Sequence, residues 1–263
     1  MICGRRTILM VCIFAWTLTF PAFIMAQHNT HHQFWNEITF TRAMTKKFST
    51  ELNLGQNWTS TPGNSSIVAQ NSQIYGRIWA HLYLNARWKF SVFYGYYYNK
   101  YVPEIDQREY PEGRLALQGT WYIKRSRLTM STRFRLEDRH IKNTEGYYEG
   151  VYRFRSQLKS LYAFNGRQIR KGISYGIGSA ELYFKSASNV TGGQFFDRTR
   201  LTIGGGYAMT DDIQVEVTYV NEYLPRPDEN EIYHVLQIVI AFNNFLPDVV
   251  KKFRKKASSS VPQ

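Results

Sequence analysis

Between Arg127 and Arg139 the chain alternates without a break. Leu128, Met130, Thr132, Phe134 and Leu136 fall on one side, and Arg127, Thr129, Ser131, Arg133, Arg135, Glu137 and Arg139 on the other. A period of 2 marks a β-strand with two unlike faces. A sheet in water alternates too, but five charges on one face of one strand point to a wall between two different solvents. The same period, bounded by turn residues, recurs in eleven segments: about 34–42, 48–59, 72–86, 90–101, 112–123, 126–141, 147–164, 173–186, 195–209, 212–223 and 231–243. Nearly all exceed the ~9 to 11 residues that a tilted strand needs to cross a bilayer.

The segment ends are aromatic, with Trp58, Trp88, Trp121, the run Tyr96-Tyr97-Tyr98 with Tyr101, Tyr147 with Tyr148, and Tyr223. Amphipathic rings at strand ends suit the two water-lipid interfaces. Connections alternate between short (Met44–Lys47, Arg87–Lys89, Lys124–Arg125, Thr210–Asp211) and long (Ser60–Asn71, Val102–Pro111, Lys142–Gly146, Ala187–Gln194, Leu224–Asn230), with Asn165–Gly172 intermediate. No apolar run after residue 27 reaches the ~20 residues of a spanning helix. The fold expected is therefore all-β, an antiparallel transmembrane β-barrel. Eleven strands are counted, but single-chain bacterial barrels are even-numbered. The expectation is accordingly about 12 within a range of 10–12, with a strand missed near Gln27–Gln33 or a first segment outside the wall.

The first 26 residues have the zones of a secretory signal: basic Arg5 and Arg6, apolar Ile8–Phe20, and Ala26 at a cleavage point. Both cysteines, Cys3 and Cys12, lie inside it, so the mature chain has neither disulfide nor cysteine metal site. Cleavage removes two arginines and no acid, which lowers the net charge from +13 to +11. The organisation expected is a signal peptide at 1–26, a flexible N-terminus at 27–33, the barrel at 34–245 and a basic tail at 246–263. Export argues against nucleic acid as the partner for this charge. The tail, with Lys251, Lys252, Arg254, Lys255 and Lys256, suits anionic headgroups or solvated disorder instead.

If the apolar faces meet lipid, the polar faces line the lumen, because Arg or Lys facing lipid at mid-depth costs about 2–4 kcal/mol. The lumen-lining candidates are Arg77, Arg114, Arg133, Arg135, Glu137, Arg139, Glu149, Arg153, Arg155, Glu181, Arg198, Arg200 and Glu216. Two roles are open to them: pairing across strands into ladders that fill a small barrel, as buried charge requires, or lining a narrow route for anions. The segment from Glu231 is apolar on both faces, with Val235, Val239 and Ala241 set to pack against something inside.

The ordered set Arg133-Phe-Arg-Leu-Glu-Asp-Arg-His140, Tyr152-Arg-Phe-Arg155, Ala180-Glu-Leu-Tyr183, Phe196-Asp-Arg-Thr-Arg200, Gly206-Tyr207 and Val217-Thr-Tyr219, with an early Trp35-Asn36-Glu37, resembles domain-of-unknown-function family 2490. The likeness runs from about Trp35 to Phe245. It implies an outer-membrane barrel of a Gram-negative bacterium, hence lipid and the barrel-insertion machinery as partners, and brings no catalytic residues. Where that family commonly reads Asn-Arg, this chain has Asp197-Arg198.

No catalytic constellation, cofactor or strong metal motif is visible, and the chain is read as a non-enzyme. His234 stands at the right depth for a barrel lipase but has no serine two residues away. His140 with Asp138, near Asp106, Glu109 and Glu112, reads as solvated loop charge. His28, His31 and His32 form at most a weak metal tract. Gly204-Gly205-Gly206 suggests a bend or close packing. The function expected is an outer-membrane barrel acting as a narrow passive pore for small anionic solutes or as a structural envelope component. A lipid-modifying enzyme or a soluble periplasmic ligand-binding β-protein is the alternative.

Overall fold

The computed structural model describes residues 28–102, 107–143, 145–227 and 229–244. The signal-like segment, the basic tail and Asp106 lie outside the described residues. Eleven strands follow one another: β1 (His28–Ala43), β2 (Phe48–Thr59), β3 (Gln70–Tyr83), β4 (Trp88–Val102), β5 (Gln107–Arg125), β6 (Leu128–Lys142), β7 (Tyr148–Ala163), β8 (Ser174–Lys185), β9 (Phe196–Ala208), β10 (Ile213–Leu224) and β11 (Asn230–Phe242). Each pairs antiparallel with the next, and β1 closes on β11.

That closure resolves the parity problem. In an up-and-down barrel with an odd number of strands the first and last run the same way, so the closing pair must be parallel. It is, from His28↔Asn230 to Phe40↔Phe242. No twelfth strand occurs among the described residues, and the eleven sequence segments correspond to the eleven strands. Residues 28–33, expected to be flexible, extend β1, because the seam with β11 gives their backbone groups partners.

The loops alternate in length less cleanly than the sequence suggested. Strands β4 and β5 run on to Val102 and from Gln107, shortening the expected long connection, while residues 164–173 separate β7 from β8 at the other end. The β1–β2, β3–β4, β5–β6 and β9–β10 turns share that second rim, called the turn rim below; the opposite rim is the loop rim.

The two faces separate as the alternation requires. Leu54, Ile78, Leu117, Leu136, Leu158, Leu182 and Ile203 are exposed on the outside, Ile78 and Ile203 by 66% and 67%. Exposed rings flank them: Trp88 stacks on Trp121 at 6.1 Å towards the turn rim, and Tyr96, Tyr147, Tyr148 and Tyr152 stand towards the loop rim. Tyr97 and Tyr101 differ from the interfacial reading and are buried inside, since their parity is that of Phe93. The inward apolar face of β11 packs within the wall, where Val235 and Tyr233 meet Val220 and Leu224 with Trp35 against them.

One rung carries a palindrome centred on the seam. Tyr175, Gly206, Glu216, Val239, Glu37, Gly55 and Tyr75 are successive partners across β8, β9, β10, β11, β1, β2 and β3. On each side a tyrosine ring lies over the glycine of the next strand and its hydroxyl donates to the glutamate beyond: Tyr75 to Glu37 at 2.6 Å and Tyr175 to Glu216 at 2.9 Å. A Cβ on Gly55 would come within 2.3 Å of the Tyr75 ring, and one on Gly206 within 2.3 Å of the Tyr175 ring. Glycine is required at both places for close approach. The Gly204–Gly206 run thus serves close packing.

Gly206→Ala is expected to lower stability by about 1–3 kcal/mol, the usual cost of overpacking, read as a lower urea midpoint in detergent. Gly205→Ala, whose Cβ would find its nearest neighbour at 3.4 Å, is the control and is expected to cost much less.

Candidate functional site

The interior is built on inward positions that the sequence fills with arginine, glutamate and small polar residues. Among the described residues the buried carboxylates of Glu112, Glu137, Glu181, Asp197 and Glu222 are each held by more than one cation. Glu112 accepts from Arg139 at 2.6 and 3.1 Å and from Arg114 at 2.9 Å. Glu137, fully buried, accepts from Arg153 at 2.6 and 2.8 Å, Arg155 at 2.8 Å and Arg135 at 3.2 Å. Glu181 accepts from Arg133 at 2.5 Å and Arg155 at 2.9 and 3.0 Å. Glu222 accepts from Arg198 at 3.1 Å and Arg200 at 2.5 Å. Asp197 lies 3.1 Å from Arg198, 3.5 Å from Arg226 and 3.9 Å from Arg153, and so joins the Glu222 group to the Glu137 group. Arg77 pairs with Glu37.

Aromatic rings back the guanidinium groups. Arg135 lies over Trp79 and Phe93 at 5.1 and 5.4 Å, Arg114 over Tyr97 at 3.6 Å, and Arg155 over Tyr183 at 4.4 Å. Trp79, Phe93 and Tyr97 stand on β3 and β4, where Trp79 and Phe93 form a buried cluster with Ala116 of β5, and Tyr183 stands on β8. The β8–β11 side instead carries Ser179, Thr202, Gly204 and Thr218 inward. The space they leave belongs to a cavity of about 1020 Å³, which extends from Asn29, Asn189 and Glu229 at the loop rim to Lys159, Ile177 and Val239 deep in the barrel.

The candidates divide accordingly. Arg77, Arg114, Arg133, Arg135, Arg139, Arg153, Arg155, Glu181, Arg198, Arg200 and Glu216 line this cavity. Glu137 lies beneath the arginines, fully buried. Glu149 shares the inward parity but stands at the rim, where its carboxylate accepts the N–H of Asn189 at 2.9 Å. It fastens the β8–β9 loop rather than facing the cavity.

Sequence reasoning misplaces or passes over three other participants. Glu112, read as loop charge, is buried inside because β5 begins at Gln107 and keeps the parity of Arg114. Glu222 continues the inward series of Glu216 and Thr218, a signal present in the alternation. Asp197 carries no such signal. A register shift at Tyr183/Phe184 gives β9 one extra residue there, and this bulge turns Asp197 inward beside Arg198.

The histidines do not converge. His31 faces inward with its Nε2 2.6 Å from Glu231, whereas His32 faces outward and stacks on His234 at 5.5 Å. Alternation along β1 holds these two imidazoles on opposite sides of the wall, so they cannot share a metal. On the outer face His234 Nδ1 is 2.5 Å from the Tyr219 hydroxyl, and His140 Nε2 is 3.3 Å from Asp138. Among the described residues no cluster of histidines and acids is arranged to hold a metal. The side chains of His28 and Glu109 lie outside the described residues.

Removing one acid from the network strands several buried cations. Glu137→Ala is expected to destabilise the barrel by about 3–5 kcal/mol, as breaking buried pairs does, whereas Glu149→Gln at the rim stays within about 0.5 kcal/mol. Urea unfolding of both variants in detergent checks the pair of values.

No curated protein matches the chain. A family model described as a protein of unknown function (DUF2490) matches residues 32–233, which covers β1 from His32 through β11 as far as Tyr233. That span is well over half of the chain and includes the ion-paired carboxylates of the interior with their arginines, so the chain belongs to the DUF2490 family.

Proposed function

We propose that this protein is an integral outer-membrane β-barrel of a Gram-negative envelope, with a narrow polar passage for small anionic solutes. The observation that carries the reading is the division of the wall: aliphatic side chains exposed outside, charged side chains paired inside. A soluble monomer rarely exposes so continuous an apolar surface. Lipid gives it a solvent, and the flanking aromatic rings suit the two interfaces. Export by the signal-like segment and assembly by the barrel-insertion machinery follow from that location.

An eleven-stranded barrel stands between the eight-stranded kind, filled by side chains, and the open porins of sixteen or more strands. Here pairing and passage coexist: ion-paired arginines from β3 to β9 line the cavity, and the small residues on β8 to β10 leave it room. The β8–β9 loop narrows the loop rim. Val190 packs against Ile141 and Val151, and the buried Lys185 ammonium donates to the Gly192 carbonyl. Among the described residues eleven arginines and lysines face the cavity beside eight acids, an excess that favours anions.

Folded protein is expected to migrate differently before and after boiling on a denaturing gel, and to give small, anion-favouring conductance steps in planar bilayers. Unchanged mobility together with extraction by carbonate overturns the membrane barrel. Folded protein without channel events leaves the structural envelope component instead. Lys185→Met, which releases the Gly192 carbonyl, is expected to raise the step size.

A further inference from the structure

The ion-pair network does not use all its cations: Lys185 is held by backbone carbonyls at the loop rim, and Lys89 and Lys159 lie near the turn rim. Lys89, Thr120, Arg133 and Gln157 are successive partners on one rung across β4, β5, β6 and β7. Lys159 is one inward position nearer the turn, opposite Ser131 and Ser179. The charges of Glu51, Arg133, Lys159 and Arg125 act on Lys89. Among the described residues neither Lys89 nor Lys159 is in an ion pair; the Lys89 ammonium stands 5.9 Å from the Tyr83 ring centre. Arg133 shares its one carboxylate, Glu181, with Arg155, and its buried Nε has no hydrogen-bond partner. Arg133, Gln157, Lys159 and Ser179 line the cavity.

We infer that this end of the cavity binds a compact dianionic oxyanion, namely phosphate, free or as the terminal group of a monoester. Arg133 and Lys159 line it and Lys89 lies two strands from Arg133 on the same rung, while Glu181 is already shared with Arg155 and Glu51 is held by Asn53 and His81. A single negative charge leaves repulsion among the three uncompensated, and a dianion does not. The surrounding Thr120, Ser131, Ser179 and Gln157 are neutral donors that suit the several oxygens of a tetrahedral anion. Arginine supplies a fork and lysine a point charge, the usual division in phosphate sites. The inference deepens the passage reading and rests on its solvent-reached interior, but binding is measured without conductance.

Titration calorimetry of the folded barrel in detergent, at constant chloride, tests it with inorganic phosphate and with glycerol phosphate. Saturable binding of either is expected, weakened about tenfold or more in Lys159→Gln, as loss of a charge-assisted contact implies, and largely kept in Lys159→Arg. Binding of inorganic phosphate identifies the free ion as a ligand; binding of glycerol phosphate alone identifies the ester. No saturable binding, or a heat-modifiable Lys159→Gln protein that binds as the wild type does, overturns the inference. Binding without channel events removes the passage and leaves the site standing.

Discussion

Everything in this barrel depends on carboxylates held between guanidinium groups. An ionised carboxylate taken out of water is costly, and one partner seldom compensates it. Glu112 sits between Arg114 and Arg139, Glu181 between Arg133 and Arg155, and Glu137 among three arginines. Because most of these acids are met by arginines from neighbouring strands, the contacts fix strand order and register at once. The wall can then be largely aliphatic outside, since its ion-pair network is internal.

The seam shows how the odd strand number is accommodated. A parallel pair is slightly less stable per residue than an antiparallel one, and here it closes the whole barrel. Tyr75 and Tyr175 reach across glycines from either side to Glu37 and Glu216, the inward residues flanking Val239 of β11. Each clasp ties three strands together, and between them they bracket the parallel pair.

The alternation from Arg127 to Arg139 made the wall legible in the sequence because period 2 is imposed by backbone geometry, whatever the strand's neighbours. Glu222 and Glu112 were legible in principle by the same rule, extended past the apparent strand ends. Strand ends were the weak point, since β4 and β5 run beyond the turn signals that seemed to bound them. Asp197 was not legible: its inward aim comes from a bulge, a property of the pairing between β8 and β9. Nor was the parallel seam, since the rule that barrels are even argues against the count that the segments themselves supported. Cross-strand pairing decides which arginine meets which acid, and no single strand contains it.

Pairing and void were alternatives only while the interior was treated as uniform. Large rings on β3, β4 and β8 give the arginines a surface to lie on, which brings them to the acids of β5, β6 and β8. Serine, threonine and glycine on β8 to β10 cannot reach across, so a cavity is left beside the paired arginines. The division has an electrostatic consequence: acids concentrate where the rings hold the arginines, and cations beyond their reach, Lys89 and Lys159 among them, are left facing polar neutral neighbours. The excess of basic residues inside the barrel is therefore localised, and its place is set by side-chain size as much as by charge.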